Sequence, residues 1–391
     1  MAALAISALA VSLLATSPAA AETLGGEGLA GTVRTVSPLP GADPLPPVKA
    51  ATWVLADADT GEVLAHKGAH VQRPPASTLK MLTALTVLPQ VPPDTVYVAT
   101  PRAATTYGAR VGLRVGKRYT MDELWYAVFL PSANDAAIAV AQANGGVRST
   151  VRQMNDLAYD LRALDTTARN TSGLDAPGQL SSAYDLTLIA REGLTRDDFA
   201  HYASTPTARF PDTKGKGTHR IYTTNRLLLH RWKGAIGVKT GFTTRAGRTY
   251  VGAATRGGRT LIVSLMGIRE SSEEAAKKLL TWGFANADRV EPVGMLVEKG
   301  SPIPVASDTE SVDGTRSGTG PNEESTDGAG AQDPDDAGEG GIDGATAAAP
   351  LPSAGAIPVG VLAAVVAIAG GTALITVRRR GRRTARAHQR T

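Results

Sequence analysis

Ser77 and Lys80 stand three residues apart, directly after two prolines, and this pair has the groups needed for covalent catalysis. Proline favours the first turn of a helix, and residues three apart share one helix face, so the Lys80 amine can reach the Ser77 hydroxyl. A serine near neutral pH needs a base, and a lysine serves if burial or a nearby cation lowers its pKa. Free N–H groups at the helix start favour an oxyanion. The pair predicts an acylated serine, with an ordinary helix start as the alternative.

The composition narrows this chemistry and the range of partners. The 391-residue chain is 42% hydrophobic and 20% charged, as folded globular proteins are, and it contains no cysteine. Disulfides, zinc–thiolate sites and thiol nucleophiles are therefore excluded, so covalent catalysis must use serine, threonine or lysine. The net charge is +5, but the sequence contains no nucleic-acid-binding motif. We predict no nucleic-acid partner and favour a basic surface facing an anionic cell envelope.

A second short element lies about fifty residues further on, at Ser132-Ala133-Asn134. It follows a proline and precedes an apolar run, which predicts a loop leading into a helix. A serine and an asparagine in such a loop can bring a hydroxyl and an amide beside the base. The alternative is a plain helix N-cap, for which the same residue types are favoured.

The third element is Lys239-Thr240-Gly241, just before a predicted pair of strands. On a strand Lys239 and Gly241 share one face, while Thr240 points the other way. A cation on that face can hold a substrate carboxylate and also lower the pKa of Lys80. Gly241 would leave room for a substrate backbone to pair along the strand edge. The alternative is an exposed strand lysine.

The order and spacing of SxxK, SxN and KTG resemble those of the penicillin-recognising serine enzymes. Across roughly residues 49–287 the finer resemblance is to the low-molecular-mass D-alanyl-D-alanine carboxypeptidases. It rests on the strings PPASTLKMLTAL, PSANDAAIAVA, RNTSGLD, TTNRLLL, GVKTGFT and KKLLTWGF. Two positions depart from the family pattern, with Ala133 for a glycine and Phe242 where a histidine is frequent. The β-rich domain that many members carry after the catalytic unit also has no counterpart here.

The resemblance implies a β-lactamase/DD-peptidase-like fold and a reaction on peptidoglycan pentapeptide stems. Ser77 would attack the carbonyl of the penultimate D-alanine, release the last D-alanine and be freed again by water. Lys80 would be the general base, Ser132 would relay a proton, and Asn134 would hold the substrate or Lys80. β-Lactams would inhibit the enzyme by acylating the same serine.

The resemblance also implies how the substrate is held. Lys239 and Thr240 would bind its terminal carboxylate, with Gly241 beside them, and the backbone N–H groups of Ser77 and Phe242 would form the oxyanion hole. The reaction would need neither a metal nor an organic cofactor.

Strands and helices must bring these elements together. The sequence predicts two strands around a turn at 51–64, a helix over 77–88 and mostly helical structure over 121–200. A hairpin over 249–266 and a last helix over 272–284 follow. This order indicates an α+β fold, in which helices cover an antiparallel sheet and the insert forms an all-helical subdomain.

The ends of the chain predict export and anchoring. An apolar start ending in three alanines is typical of a signal peptide, and a charge-free apolar run followed by an arginine cluster is typical of a membrane span with its end inside the cell. The predicted segments are a signal peptide (1–21), an N-terminal extension (22–48), the catalytic domain (49–290), a disordered acidic linker (291–353), a transmembrane helix (354–377) and a basic cytoplasmic tail (378–391). The catalytic domain would face outward. The string LPSAG before the span resembles a sortase signal, although plain membrane anchoring is favoured.

Three other functions remain open at this point. A transpeptidase or endopeptidase would use the same three elements, because they do not determine the acceptor. A class A β-lactamase would too, but its deacylating glutamate has no counterpart, since no glutamate occurs over 125–191. A penicillin-binding envelope protein without catalysis is the third.

Overall fold

The centre of the fold is an antiparallel sheet, seen in a computed structural model that describes residues 22–212 and 215–303. Along the sheet the strand order is β1-β4-β3-β11-β10-β9, and β13 also pairs with β4. The strands are β1 (Arg34–Thr35), β2 (Ser37–Pro38), β3 (Thr52–Asp57), β4 (Glu62–Lys67), β5 (Val96–Val98), β6 (Arg118–Thr120), β7 (Thr207–Pro211), β8 (Thr218–Tyr222), β9 (Ala235–Thr243), β10 (Gly247–Arg256), β11 (Arg259–Ile268), β12 (Val290–Glu291) and β13 (Gly294–Met295).

Helices lie on both faces of this sheet. They are α1 (Lys80–Val87), α2 (Pro101–Ala104), α3 (Met121–Phe129), α4 (Asn134–Ala143), α5 (Val147–Asp160), α6 (Ala183–Leu194), α7 (Asp197–Ser204), α8 (Arg226–Leu229) and α9 (Ser272–Asn286). Short 3-10 turns occur at Glu27–Leu29, Ala76–Leu79 and Ala287–Arg289. The predicted α+β class is confirmed.

The central strand β3 explains why both faces are covered. Trp53 and Leu55 pack into one apolar core, together with the buried side of α9. Val54 and Ala56 point the opposite way, into the larger core that also contains residues of α1, α3, α4 and α6. Successive side chains of a strand alternate between faces, so a continuous apolar run on a strand requires a cover on each side.

The helical insert between α1 and α6 differs in part from the prediction. Over the predicted range 121–200 the structure contains α3, α4, α5, α6 and the start of α7 without a strand, and the breaks at Pro131 and Gly145-Gly146 lie where expected; β5 and β6 pair just before this range. Residues 161–182 form loops in place of the continued helix. The reason is local: the Asn170 side chain accepts hydrogen bonds from the N–H groups of Ser172 and Gly173 at 3.1 and 2.8 Å. Such bonds compete with helix formation.

The folded part is also longer than predicted at both ends. Residues before 49 pair with the sheet through β1, and β2 pairs with β12. After 290, β13 pairs with β4, so the first residues of the predicted linker belong to the folded part. Leu29 and Leu296 are both buried in the larger core. These strands are two residues long, which is too short for a periodic pattern to predict them.

The remaining terminal predictions lie outside the described residues. These are the signal peptide, the rest of the linker from 304, the transmembrane helix at 354–377 and the basic tail. Within 22–212 and 215–303, no helix combines the length and apolar character that crossing a bilayer requires.

Candidate active site

The first functional pair lies where a 3-10 turn becomes a helix. Ser77 is in the turn, and Lys80 opens α1 three residues later. The Lys80 Nζ lies 3.0 Å from the Ser77 Oγ. The preceding residue, Ala76, has a φ of 50°, an uncommon value for a residue with a side chain and one that recurs at functional sites. No side chain caps this start, so an ordinary capped helix does not account for the pair.

The Lys80 amine is completely buried and has three hydrogen-bond partners. Besides Ser77, it donates to the Asn134 Oδ1 at 2.7 Å and to the backbone carbonyl of Ser172 at 2.5 Å. Burial lowers the pKa of Lys80 well below that of an ordinary lysine, and the nearby Lys239 lowers it further, while Asp135 opposes the shift. These conditions favour an uncharged amine, which can accept the Ser77 proton.

Ser132 and Lys239 form a second buried pair. The Lys239 Nζ donates to the Ser132 Oγ at 2.8 Å and to the Thr240 carbonyl at 2.9 Å. Lys239 is 1% exposed, and burial lowers its pKa to about 7. This excludes the exposed strand lysine. Ser132, with a φ of 63°, lies outside α4, whose N-cap is Ala133 without a side-chain cap. This excludes the plain N-cap.

Asn134 is held in place by hydrogen bonds to the backbone of residues 107–109, a segment that the sequence analysis did not identify as functional. Its Nδ2 donates to the carbonyl of Tyr107 at 2.8 Å, and its own N–H donates to the carbonyl of Ala109 at 2.7 Å. The neighbouring Asp135 accepts hydrogen bonds from the N–H groups of Gly112 and Leu113 at 2.8 and 3.0 Å. Asn134 therefore holds Lys80, one of the two roles that the resemblance implied for it.

The loop at 170–175 contributes through its backbone. Asn170 orders it, and the Ser172 carbonyl then meets Lys80. Gly173 has a φ of 81°, and a Cβ there would lie 1.9 Å from the carbonyl oxygen of Ala76. The loop can approach the turn that carries Ser77 only because this residue is a glycine.

Gly241 has a structural role that the sequence did not indicate. A Cβ at this position would lie 2.7 Å from the backbone N of Ser77 and 2.5 Å from the Thr249 Oγ1. The missing side chain therefore lets β9 approach the protein's own nucleophile turn. Gly241 also lines the cleft, so the expected room for a substrate backbone stays a prediction. The close approach brings the strand containing Lys239 and Phe242 next to Ser77.

We expect the replacement Gly241→Ala to abolish most activity while the protein still folds. The added methyl group must push β9 away from Ser77, and displacements of about 1 Å at a reacting centre can lower rates about 100-fold. The rate of Ser77 acylation by a fluorescent penicillin measures this effect. Gly31→Ala is a suitable control, because a Cβ there has no neighbour nearer than 3.9 Å. Equal rates for both variants would contradict the packing role of Gly241.

A cleft of about 1160 Å³ opens onto these residues. Ser77, Ser132, Asn134 and Thr240 line it, whereas the two lysine amines are buried behind its wall. The Thr240 Oγ1 lies 2.6 Å from the Thr224 Oγ1, so two hydroxyls stand together at the cleft. The cleft is wide enough for a peptide.

Two further residues line the cleft. The sequence indicated the first of them and not the second. Phe242 follows Gly241 on β9 and is 66% exposed at the cleft. Arg248 on β10 also lines the cleft, opposite Phe242 in the strand register, although no sequence motif indicated it.

Comparison with known proteins decides the family. The D-alanyl-D-alanine carboxypeptidase family model matches residues 40–270. This chain belongs to that family. The D-alanyl-D-alanine carboxypeptidase DacB2 of Mycobacterium tuberculosis is 39% identical over 252 residues, which are 63% of this chain and 86% of the relative. DacD of Escherichia coli is 34% identical over 264 residues, 63% of this chain and 66% of DacD.

Solved structures agree with the sequence relatives of this D-alanyl-D-alanine carboxypeptidase family member. The crystal structure of the D-alanyl-D-alanine carboxypeptidase from M. tuberculosis H37Rv matches with a TM-score of 0.63 and 39% identity, covering 67% of this chain and all of that one. The Streptomyces K15 DD-transpeptidase matches with a TM-score of 0.59 and 30% identity, covering 62% of this chain and all of that one. The predicted family, the DD-peptidase-like fold and the class of serine-type carboxypeptidase are confirmed.

Proposed function

We propose that the chain removes the terminal D-alanine from peptidoglycan pentapeptide stems through an acyl-enzyme on Ser77. The observation that carries this proposal is the buried Lys80 amine, 3.0 Å from the Ser77 hydroxyl. A second buried lysine behind the same cleft disfavours a charge on the first. An amine held uncharged next to a serine has the properties of a general base.

The acylation step uses groups on both sides of the cleft. Lys80 takes the Ser77 proton while the Oγ bonds to the carbonyl carbon of the penultimate D-alanine. The negative charge that forms on the carbonyl oxygen is stabilised by the backbone N–H groups of Ser77 and Phe242. Gly241 keeps these two backbone segments close, because its Cα has no side chain between them.

The departing amine needs a proton when its C–N bond breaks. The Ser132 hydroxyl accepts a hydrogen bond from the Lys239 Nζ at 2.8 Å, so it can donate its own proton to the amine and regain one from the lysine. The second proton transfer therefore runs along Ser132 and Lys239. Lys80 then releases to solvent the proton that it took from Ser77, and Lys239 regains one, so that both amines return to their starting states. Water attacks the ester with Lys80 again as the base, and the Ser77 oxygen leaves with a proton.

The terminal carboxylate of the substrate is held at the β9 side of the cleft. The Thr240 hydroxyl lines the cleft beside Thr224, and the Lys239 charge lies directly behind it. Burial has lowered the pKa of Lys239 to about 7, so the charge is present below this pH and is lost above it. A carboxylate bound in front of the lysine favours its charged form.

This pKa predicts an alkaline decline in activity. We expect kcat/KM for D-alanine release to fall as the pH rises through about 7, because the free enzyme then loses the Lys239 cation. The decline should be weaker in Lys239→Arg, since a guanidinium keeps its charge. Pentapeptide hydrolysis measured across the pH range tests both points. An unchanged decline in the arginine variant would contradict the assignment to Lys239.

A D-alanine release assay on the purified full chain tests the function itself. We expect the pentapeptide to lose one D-alanine, and β-lactams to acylate the protein and leave slowly, since no glutamate occurs over 125–191 to activate a deacylating water. Rapid and continuing hydrolysis of a chromogenic cephalosporin would contradict this. Penicillin labelling without D-alanine release would instead favour a non-catalytic binding protein.

Transpeptidation is a second candidate because a solved neighbour, the Streptomyces K15 protein, is named a DD-transpeptidase. The acyl-enzyme would be the same, and an amine would replace water in the second step. Adding an amino-acid acceptor to the pentapeptide assay separates the two functions. A product in which the acceptor is joined to the stem would favour the transpeptidase.

We also propose that residues 354–377 anchor the enzyme in the membrane, with the catalytic unit outside the cell. The support is the apolar run and the arginine cluster that follows it. Deleting 354–391 should move the protein from the membrane fraction to the medium. Persistence in the membrane would exclude this anchor, and covalent attachment of the undeleted chain to the cell wall, with loss of the residues after Ala354, would indicate sortase processing.

A further inference from the structure

A histidine and two aspartates converge away from the cleft, around the loops that follow α5. His70, Asp165 and Asp185 each offer one ligand atom, and these atoms lie within 4.8 Å of one another. The His70 Nδ1 is 2.9 Å from the Asp165 Oδ2. Nothing in the proposed reaction uses these three residues.

One oxygen of this cluster is buried without any partner. Asp185 is 0% exposed, and its Oδ2 accepts a hydrogen bond from the Thr166 hydroxyl at 2.7 Å. Its Oδ1 has no hydrogen-bond partner in the part of the chain that the structure describes. An isolated buried carboxylate oxygen is unfavourable unless a cation or a donor meets it.

The orientation of His70 adds an independent argument. Its Nε2 lies 3.0 Å from the Leu24 carbonyl, which can only accept, so Nε2 carries the hydrogen. In a neutral ring the Nδ1 is then a lone pair, and it faces the Asp165 carboxylate at 2.9 Å. Two acceptors at this distance need either a proton or a metal cation between them. A histidine whose outer nitrogen donates to a backbone carbonyl is the usual arrangement around a metal ion.

We propose that His70, Asp165 and Asp185 bind one divalent cation, best matched by Zn²⁺. One imidazole nitrogen and two carboxylate oxygens make three of the four ligands that zinc prefers, and the fourth position is left to water. The two acceptors that now face each other and the unpartnered Asp185 Oδ1 would all bind the ion. The site is separate from the catalytic groups and does not depend on the proposed reaction.

The ion would join three parts of the chain. Asp185 lies in the first turn of α6, Asp165 in the loop after α5, and His70 before the nucleophile turn, with its ring hydrogen-bonded to the carbonyl of Leu24. Next to the site, Ser181 pairs with Arg73, four residues before Ser77. We therefore expect zinc to stabilise the fold and not to act on substrate.

Zinc uptake by the full chain tests the proposal. After treatment with a chelator and transfer to metal-free buffer, the protein should bind one Zn²⁺ per chain that survives gel filtration, and its melting temperature should rise with added Zn²⁺. Asp165→Asn should bind zinc at least about tenfold more weakly and still be labelled by penicillin. His201→Ala, a control for surface histidines, should behave as the wild type does.

Two results would overturn the proposal. One is the absence of retained zinc and of any zinc-dependent change in melting temperature. The other is equal zinc binding by the wild type and Asp165→Asn. If the variant does not fold, Co²⁺ added to the unmodified chain keeps the test open: visible bands of tetrahedral Co²⁺ support the site, and their absence overturns it.

Discussion

Ser77→Ala is expected to give a folded protein that takes up no fluorescent penicillin and releases no D-alanine. The hydroxyl that this change removes is the one held 3.0 Å from the Lys80 amine at the cleft. Loss of a nucleophile in a related catalytic arrangement lowers kcat by about a million-fold, because the remaining groups cannot form the covalent intermediate. Gel fluorescence and D-alanine release measure the two effects.

A surface serine provides the control for this experiment. Ser204→Ala, at the exposed end of α7, should be labelled at the wild-type rate. Intact-protein mass after penicillin treatment should increase by one adduct in the control and not in Ser77→Ala. An adduct of the same size on Ser77→Ala would mean that another residue is the nucleophile.

Lys80→Met is the second change with a large expected effect. Methionine is uncharged and of similar length, so it removes the base with little change of volume, although the Asn134 Oδ1 and the Ser172 carbonyl lose their donor. We expect acylation to slow by about 10²- to 10⁴-fold, the usual contribution of a general base.

Slow acylation of Lys80→Met supports the role of Lys80 as the base only if the variant is folded. Lys277→Met, on the exposed side of α9, is a control for lysine removal and should keep the wild-type rate. Circular dichroism and thermal unfolding show whether Lys80→Met is folded. A folded Lys80→Met that is acylated as fast as the wild type would exclude Lys80 as the base.

The sequence alone predicts those parts of the site in which the functional side chains are a few residues apart on one helix or strand. Ser77 and Lys80 are three residues apart on one helix start, so local geometry alone predicts their contact. The strand bearing Lys239 could also be predicted, because its neighbours form a hairpin whose turn, Gly257-Gly258, has positive φ at both residues.

The backbone parts of the site could not be predicted in the same way. The Ser172 carbonyl that binds Lys80 is a group that every residue has, so no residue type marks it. The need for glycine at 241 arises from Ser77, far away in sequence, and only the packed structure brings the two together. The position of Ser132 beside Lys239 likewise depends on where β9 lies.

The limits of the folded unit were missed for a related reason. β1, β12 and β13 contain two residues each, which is too short for an alternating pattern to appear. β1 and β13 are paired by β4 of the sheet, and β12 by β2. The predicted linker began too early, because residues 290–297 are mostly apolar and Leu296 is buried in the larger core.

The protonation state of Lys80 tests the account most directly. NMR titration of isotope-labelled lysines in the Ser77→Ala protein, with the Lys80 signal assigned by its loss in the Lys80→Met variant, reports the charge on this amine. We expect an uncharged amine at neutral pH, with a pKa well below that of the surface lysines, because the group is buried next to Lys239. A Lys80 that titrates together with the surface lysines would contradict the mechanism.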